Sequence, residues 1–202
     1  NTANQGAGLT TQATAPLTRY NMTIYSNPAQ KGSAGGVFAS RPLTIVGGAI
    51  YSNTSTSGGG GVYATGDLTM TNVTVMGNTN PFYGAGVFAN ANATISGSRF
   101  ENNRNTGGGS EGAGLYIVAS TGLLTLVDTQ FISNTATGFG GGLYARGIVA
   151  LSGGEFRGNR ANNSPAGSGL YAEKAVTITA GVPYTYVDGF DLRGDLALSD
   201  AF

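Results

Sequence analysis

The chain has 202 residues, a formal net charge of zero and only 10% charged residues. It has no basic patch that could hold a phosphate backbone, which excludes a nucleic-acid-binding domain. Because it contains no Cys, His or Trp, disulfides, thiolate nucleophiles and imidazole bases or metal ligands are excluded as well. We therefore expect no cofactor, and no apolar run is long enough to predict a membrane span.

A short pattern of glycine, a large aliphatic residue and an aromatic residue recurs along the chain, as in Gly86-Val87-Phe88-Ala89. The aliphatic residues are Leu9, Val37, Val62, Val87, Leu115, Leu143 and Leu170, at intervals of 25 to 28 residues. An Asn placed three residues after a large apolar residue recurs in the same register. Two anchors with one period predict a repeat protein of about seven units.

Each predicted unit contains three short runs that alternate between apolar and polar residues. In the first unit these runs cover residues 6–9, 17–19 and 24–27, and the later units repeat them. The fifth unit carries an extra stretch at 118–122, and the pattern breaks at Pro183. Alternation with a period of two is typical of β-strands, and runs this short are unfavourable for helices. The sequence therefore predicts one elongated domain, a parallel β-helix with three strands per coil.

The Asn that closes each unit is predicted to form a structural ladder. Its members are Asn27, Asn53, Asn78, Asn103, Asn134 and Asn159. Each amide can bond to the backbone and to the Asn side chains of the coils above and below. Asn also tolerates the left-handed backbone that such corners require. We interpret these residues as structural and not as ligands.

An aromatic residue follows the inward aliphatic residue of almost every first strand. Alternation predicts that these side chains point outward and stack along the β-helix. The column consists of Phe38, Tyr63, Phe88, Tyr116, Tyr144 and Tyr171. Such a column is either a set of cross-strand pairs that stabilise the sheet or an interface for sugars or proteins.

The repeats resemble those of chlamydial polymorphic outer-membrane proteins and related autotransporter passenger domains. The resemblance rests on the Gly-Gly-Ala-Ile motif at 47–50 and on Phe-x-x-Asn at 100–103, 131–134 and 156–159, and it spans about residues 6–180. It implies a right-handed parallel β-helix displayed at the cell surface as an adhesin. The outer-membrane barrel of these relatives has no counterpart in this sequence. We expect an extracellular, secreted or cell-surface location.

The C-terminal residues 181–202 are predicted to leave the coils of residues 1–180 as a non-repeating tail of the same domain. Their apolar residues need a partner surface, and we expect them to cap the chain or to contact another subunit. They are Tyr184, Tyr186, Phe190, Leu192, Leu196 and Leu198. Since a β-helix exposes unpaired strand edges at both ends, the sequence predicts a structural protein that stacks head-to-tail with itself.

Two other functions remain open from the sequence. One is an adhesin that binds a host surface or glycans through the aromatic column and the variable turns. The other is a polysaccharide lyase or hydrolase, which in the paired-carboxylate case needs two acids within about 5–9.5 Å in one groove. The acids of the coils are Asp67, Glu101, Glu111, Asp128, Glu155 and Glu173, and they fall at different strand positions. The sequence therefore predicts no catalytic or metal-binding residues and no enzyme.

Overall fold

The computed structural model describes residues 8–11, 15–162, 167–179, 184–186 and 188–199, with the side chains of Tyr184 and Ser199 outside the described part. These residues form 25 β-strands, numbered here in chain order. Strands pair in parallel with their counterparts in the neighbouring coils. The chain is therefore a parallel β-solenoid, and the predicted fold class is confirmed.

The strands stack into three long faces and one short face. The first face consists of β1 (Leu9–Thr11), β3 (Val37–Ala39), β5 (Val62–Ala64), β9 (Val87–Ala89), β13 (Leu115–Ile117), β17 (Leu143–Ala145), β21 (Leu170–Ala172) and β24 (Phe190–Leu192). Eight stacked strands correspond to seven full turns of the chain between the first and the last.

The second and third faces belong to one sheet, because two long strands run through both of them. These long strands are β2 (Leu17–Tyr25) and β4 (Leu43–Tyr51). The second face continues with β6 (Leu68–Thr71), β10 (Ala93–Ser96), β14 (Leu123–Val127), β18 (Ile148–Ser152), β22 (Val176–Thr179) and β25 (Leu196–Ser199). The third face continues with β7 (Thr74–Met76), β11 (Arg99–Glu101), β15 (Gln130–Ile132), β19 (Gly154–Arg157) and β23 (Tyr184–Tyr186).

The short face lies after the Asn of each central coil and adds a strand that the sequence pattern does not predict. Its strands are β8 (Thr79–Asn80), β12 (Arg104–Asn105), β16 (Thr135–Ala136) and β20 (Arg160–Ala161). The variable turn therefore begins only after two more paired residues.

The core consists of columns of identical or similar side chains, one residue from each coil. On the third face, Phe100, Phe131 and Phe156 are buried and stack with ring centroids 4.8 and 4.7 Å apart. On the first face, the aliphatic residues that define the repeat are in register from Val37 to Leu170 and are fully buried. Alternation places the neighbours of these residues on the outside, so a one-residue shift of register would expose the core.

The corner between the second and third faces alternates between two kinds of residue. Six successive coils place Asn21, Gly47, Asn72, Gly97, Asp128 and Gly153 there, all with φ between 45° and 70°. A Cβ atom on Gly47 would lie 2.3 Å from Oδ1 of Asn21, and one on Gly97 would lie 2.3 Å from Oδ1 of Asn72. The amide oxygen of each Asn thus occupies space that only a glycine in the next coil leaves free.

The C-terminal residues continue the coils, and the prediction that they leave the repeat is wrong for the described part. β23, β24 and β25 extend the third, first and second faces, with the pairs Phe156↔Tyr186, Leu170↔Phe190 and Val176↔Leu196. The spacing on the first face falls here to 20 residues, because only Gly189 separates Asp188 from the next strand. The variable turn is missing at this point, so the strand does not recur at the usual period of 25 to 28 residues.

Candidate functional surfaces

The six predicted ladder residues form one continuous column of hydrogen bonds. In each interior coil, the backbone N–H and the Nδ2 of an Asn both donate to Oδ1 of the Asn in the next coil, as from Asn78 to Asn103 at 3.0 Å. The same Nδ2 also donates to the carbonyl oxygen of an apolar residue in the preceding coil, Ile50 for Asn78, at 2.9 Å. Each buried amide is thereby satisfied, which removes the cost of placing it between the coils.

The left-handed backbone lies one residue earlier than the sequence predicts. Positive φ occurs at the residue before each ladder Asn and not at the Asn itself. These residues are Ser26, Ser52, Gly77, Asn102, Ser133 and Gly158, with φ between 52° and 68°. The ladder positions therefore require Asn for its amide alone.

Asp188 occupies the next position above Asn159 and ends the ladder, a role that the sequence does not predict. Its Oδ2 accepts hydrogen bonds from the backbone N–H and the Nδ2 of Asn159, at 2.8 and 2.6 Å. Its Oδ1 accepts one from the backbone N–H of Gly158 at 2.9 Å. The sequence signal is weak, because Asp188 follows Tyr186 by two residues where the repeat has three.

The aromatic column is present, but its rings are less exposed than predicted. Successive rings from Phe38 to Tyr171 stack with centroids 4.5 to 5.7 Å apart and interplanar angles of 6° to 17°. Tyr116 and Tyr144 are only 5% and 6% exposed. The variable turns cover part of the column, since Tyr83 packs on Tyr116 at 5.0 Å and Phe139 packs on Tyr171 at 4.8 Å.

This stacking decides which parts of the aromatic rings another molecule can reach. Each ring face within the column lies against the ring of the neighbouring coil, and sugar stacking requires a free ring face. Arg193 lies over the ring of Tyr171 at the C-terminal end, 5.5 Å from its centroid. A sugar platform along the column is therefore inconsistent with the geometry, and only ring edges and hydroxyl groups reach its surface.

A group of side chains, here called the Tyr–Glu–Arg cluster, lies along the hydroxyl edge of the column. It consists of Glu111, Tyr116, Tyr144, Arg146 and Glu173. The Tyr144 hydroxyl donates to Oε1 of Glu173 at 2.5 Å, and Nε of Arg146 lies 3.5 Å from the same oxygen. Burial raises the pKa of Glu111, and the nearby Tyr116 hydroxyl and Arg146 guanidinium only partly offset this. Burial also raises the pKa of the Tyr116 and Tyr144 hydroxyls well above the usual range.

Glu111 therefore makes a testable contribution to the pH dependence of stability. Its pKa is raised in the folded chain, so its ionisation at neutral pH opposes folding. Glu111→Gln is expected to raise the melting temperature at pH 7–8 by a few degrees at most. The gain should vanish as the pH falls below the ordinary carboxyl pKa of 4.5. Thermal unfolding followed by circular dichroism between pH 4 and pH 8 measures this difference.

Glu101 is the matched control, because its pKa is shifted the other way. A hydrogen bond from Nε of Arg99 lowers the pKa of Glu101, so Glu101→Gln should leave the melting temperature unchanged or lower it slightly at neutral pH. An equal rise in melting temperature for both variants would contradict the burial argument for Glu111.

The structure brings the acidic residues together more than their sequence positions suggest. Glu111 and Glu173 both belong to the Tyr–Glu–Arg cluster. On the third face, the charge of Glu155 contributes to raising the pKa of Arg99, and the charge of Arg157 contributes to lowering the pKa of Glu101. Among the described residues, no group of three or more acidic side chains is placed to hold a metal ion. The absence of an enzymatic function stays a prediction.

The two ends of the described solenoid leave strand edges and apolar side chains uncovered. At the C-terminal end, Leu196 and Leu198 are 55% and 72% exposed, although Val176 and Ile178 below them are buried. At the N-terminal end, β2 is exposed over most of its length, including Tyr20 and Tyr25.

In the described ranges, no helix is long and apolar enough to cross a membrane.

Stacked parallel strands, an internal Asn ladder and core columns with one residue per coil define a β-helix repeat protein. A family model described as "Right handed beta helix region" matches residues 9–181, and the chain belongs to this family. The handedness implied by the resemblance agrees with this description. No curated protein and no solved structure matches the chain.

Proposed function

We propose that the chain is a non-enzymatic structural β-helix of the cell surface or the extracellular space, which docks end to end with a second copy of itself. The observation that carries this proposal is the exposure of Leu196 and Leu198 on β25. Both residues continue buried columns of the core, yet nothing in the described chain covers them. A second copy supplies a surface of the same shape.

The first coil has the features that such a joint needs. Leu17 stands at the start of the column that continues through Leu43 and ends at Leu196. When the first coil of one copy is placed on the last coil of another, Leu17 lies over Leu196. The uncovered edges of β2 and β25 then pair in parallel, as neighbouring coils do inside the chain. Such a contact is head-to-tail and grows into a filament where it does not close into a ring.

The surface location rests on the resemblance of the repeats to those of chlamydial polymorphic outer-membrane proteins and autotransporter passengers. A rigid β-helix with small polar residues on its outside suits that environment. We assign no cofactor to this function, and its main partner is another copy of the chain.

Recognition of a host surface or of glycans is a second candidate, and one observation favours a particular place for it. Phe82 and Tyr83 are exposed large aromatic residues on the variable turn between β8 and β9. They lie on the outside of the aromatic column, where their rings are not stacked between two rings of the column. An adhesin function is therefore borne by the turns and not by the ring faces of the column.

Replacement of Leu196 and Leu198 together by Lys tests the proposed joint. Each leucine contributes about 1.5–3 kcal/mol when buried, so the double variant should weaken association at least about a hundredfold. Sedimentation velocity at increasing protein concentration should show growing oligomers for the unmodified chain and monomers for the variant. Electron microscopy should show filaments only for the unmodified chain.

Ile148→Lys is the matched control, because Ile148 is also an exposed apolar residue of the second face but lies within the stack. It should associate like the unmodified chain. An unmodified chain that stays monomeric at the highest concentrations would contradict the proposal, and so would a double variant that forms the same filaments.

A further inference from the structure

The Asn ladder has a direction, and its two ends are chemically different. Every interior Asn receives two hydrogen bonds on Oδ1 from the coil before it and sends two, from its backbone N–H and its Nδ2, to the coil after it. The bonds between neighbouring rungs are 2.9 to 3.1 Å long throughout. Two copies stacked head-to-tail have the correct polarity to continue this ladder across their joint.

Asp188 closes the C-terminal end of the ladder. Its carboxylate accepts every hydrogen bond that the rung below sends upward. Its backbone N–H donates to the carbonyl oxygen of Phe156 at 3.3 Å, which in the lower coils is the role of an Asn Nδ2, as from Asn159 to Phe131. A carboxylate has no N–H group, so Asp188 sends no side-chain hydrogen bond to a following coil.

At the N-terminal end of the ladder, the described residues leave Oδ1 of Asn27 as an open acceptor. Asn27 donates through its backbone N–H and its Nδ2, to Asn53 and to the carbonyl oxygen of Tyr25. Among the residues that the structure describes, no donor reaches Oδ1 of Asn27. The residue is largely buried and lines an open pocket of about 200 Å³ together with Gly8, Thr23, Ile24 and Tyr25.

We propose that Asp188 is a terminator of the ladder, which keeps the joint between two copies weak and reversible. In a head-to-tail contact its carboxylate faces Oδ1 of Asn27 in the next copy, and both groups are acceptors. No hydrogen bond crosses the joint at this point, whereas two cross every interior rung. This inference rests on the proposed end-to-end docking and assigns the strength of that contact to one residue.

The side chain at 188 determines which bonds can form on either side of it. An Asn there keeps one oxygen to accept the bonds from Asn159, as each lower rung does. Its Nδ2 replaces the oxygen that accepts from the backbone N–H of Gly158, so that bond is lost, but the Nδ2 can donate to Oδ1 of Asn27 in the next copy. An Ala at the same place removes the cap and adds no donor. The two substitutions therefore separate the capping role of Asp188 from its terminating role.

The experiment compares D188N, D188A and D195N with the unmodified chain by sedimentation velocity over a range of concentrations. D188N should associate about tenfold more tightly, because it adds a hydrogen bond to the joint. D188A should melt at a lower temperature and associate no more tightly. D195N removes one negative charge from the same exposed end without touching the ladder, and should behave like the unmodified chain.

Several outcomes overturn the inference. The inference is wrong if D188N folds, as circular dichroism would show, but associates no more tightly than the unmodified chain. It is also wrong if D195N gains as much affinity as D188N, because net charge would then be the cause. Association of D188N from an unmodified chain that is strictly monomeric supports the terminator while rejecting the proposed assembly of the natural sequence. Assembly that responds to L196K/L198K but not to D188N supports the docking and rejects the terminator.

Discussion

Replacing Phe131 by Asp is expected to unfold the chain. Phe131 is fully buried and its ring lies between those of Phe100 and Phe156. Loss of a buried phenylalanine ring alone costs about 3–5 kcal/mol, against a total stability of about 5–15 kcal/mol for a typical protein. The substitution also places a carboxylate without a counter-ion between two aromatic rings. The β-sheet circular dichroism signal at 25 °C should be lost.

Gln130→Asp is the control for this experiment, because it puts the same side chain one residue earlier on the same strand. Gln130 lies on the outer surface, where its Oε1 accepts a hydrogen bond from Nη1 of Arg99 at 3.0 Å. An Asp there keeps a positive partner, so the folded signal should persist. A Phe131→Asp chain with a native spectrum and melting temperature would show that the core register is incorrect.

Replacing Asn103 by Ala is expected to cost the second-largest amount of stability. The substitution removes four buried hydrogen bonds: two that Oδ1 of Asn103 accepts, from the backbone N–H and Nδ2 of Asn78, and two that its Nδ2 donates, to the carbonyl oxygen of Val75 and Oδ1 of Asn134. At about 1 kcal/mol for each hydrogen bond lost, the loss is about 4 kcal/mol. Urea unfolding monitored by circular dichroism measures this loss as a lower transition midpoint.

Asn103→Asp should be at least as damaging, although Asp serves well at 188. In the middle of the ladder a carboxylate faces Oδ1 of Asn134 with no hydrogen between them, whereas at the end of the ladder nothing has to be sent on. Asn90→Ala is the control, because Asn90 is exposed and its backbone N–H alone is bonded, to Ala64. Equal losses of stability for Asn90→Ala and Asn103→Ala would mean that the hydrogen bonds of the ladder contribute nothing beyond the packing of the coils.

The parts of the fold that were predictable from the sequence are those that repeat in every coil. Val87 and Leu115 lie on the same column because the inward face of a strand leaves one kind of site in each coil, and the spacing alone reveals it. The same holds for Asn103 and Asn134. The position of the left-handed residue was not predictable in this way, because Ser, Gly and Asn all occur there and share no single chemical feature.

The burial of the aromatic column depends on residues outside the repeat. Alternation correctly places Tyr116 on the opposite side of the strand from Leu115. Whether Tyr116 is exposed depends on Tyr83, which reaches it from a variable turn. Turns that differ in length and composition carry no period, so their packing was not predictable. The Tyr–Glu–Arg cluster escaped prediction for the same reason, since Glu111 comes from a turn and Glu173 from the end of a strand.

The C-terminal strands were not predictable because one variable turn is missing before them. Phe190 lies in register with Leu170, but the missing turn moves it out of phase with the earlier coils. The role of Asp188 was not predictable for two reasons. The missing turn moves the residue out of phase, and an acid is not expected in a ladder of amides. Its role follows from the donors that converge on it and not from its neighbours in the sequence.

The alternation of Asn and Gly at the corner between the second and third faces has a consequence for how such a chain can grow. Asn21 requires a glycine directly above it, and Gly47 meets this requirement, but a second Asn at that height would collide with the first. A coil cornered by Asn can therefore be duplicated only together with a coil cornered by Gly. Lengthening that adds Asn-cornered coils is expected to proceed in steps of two turns.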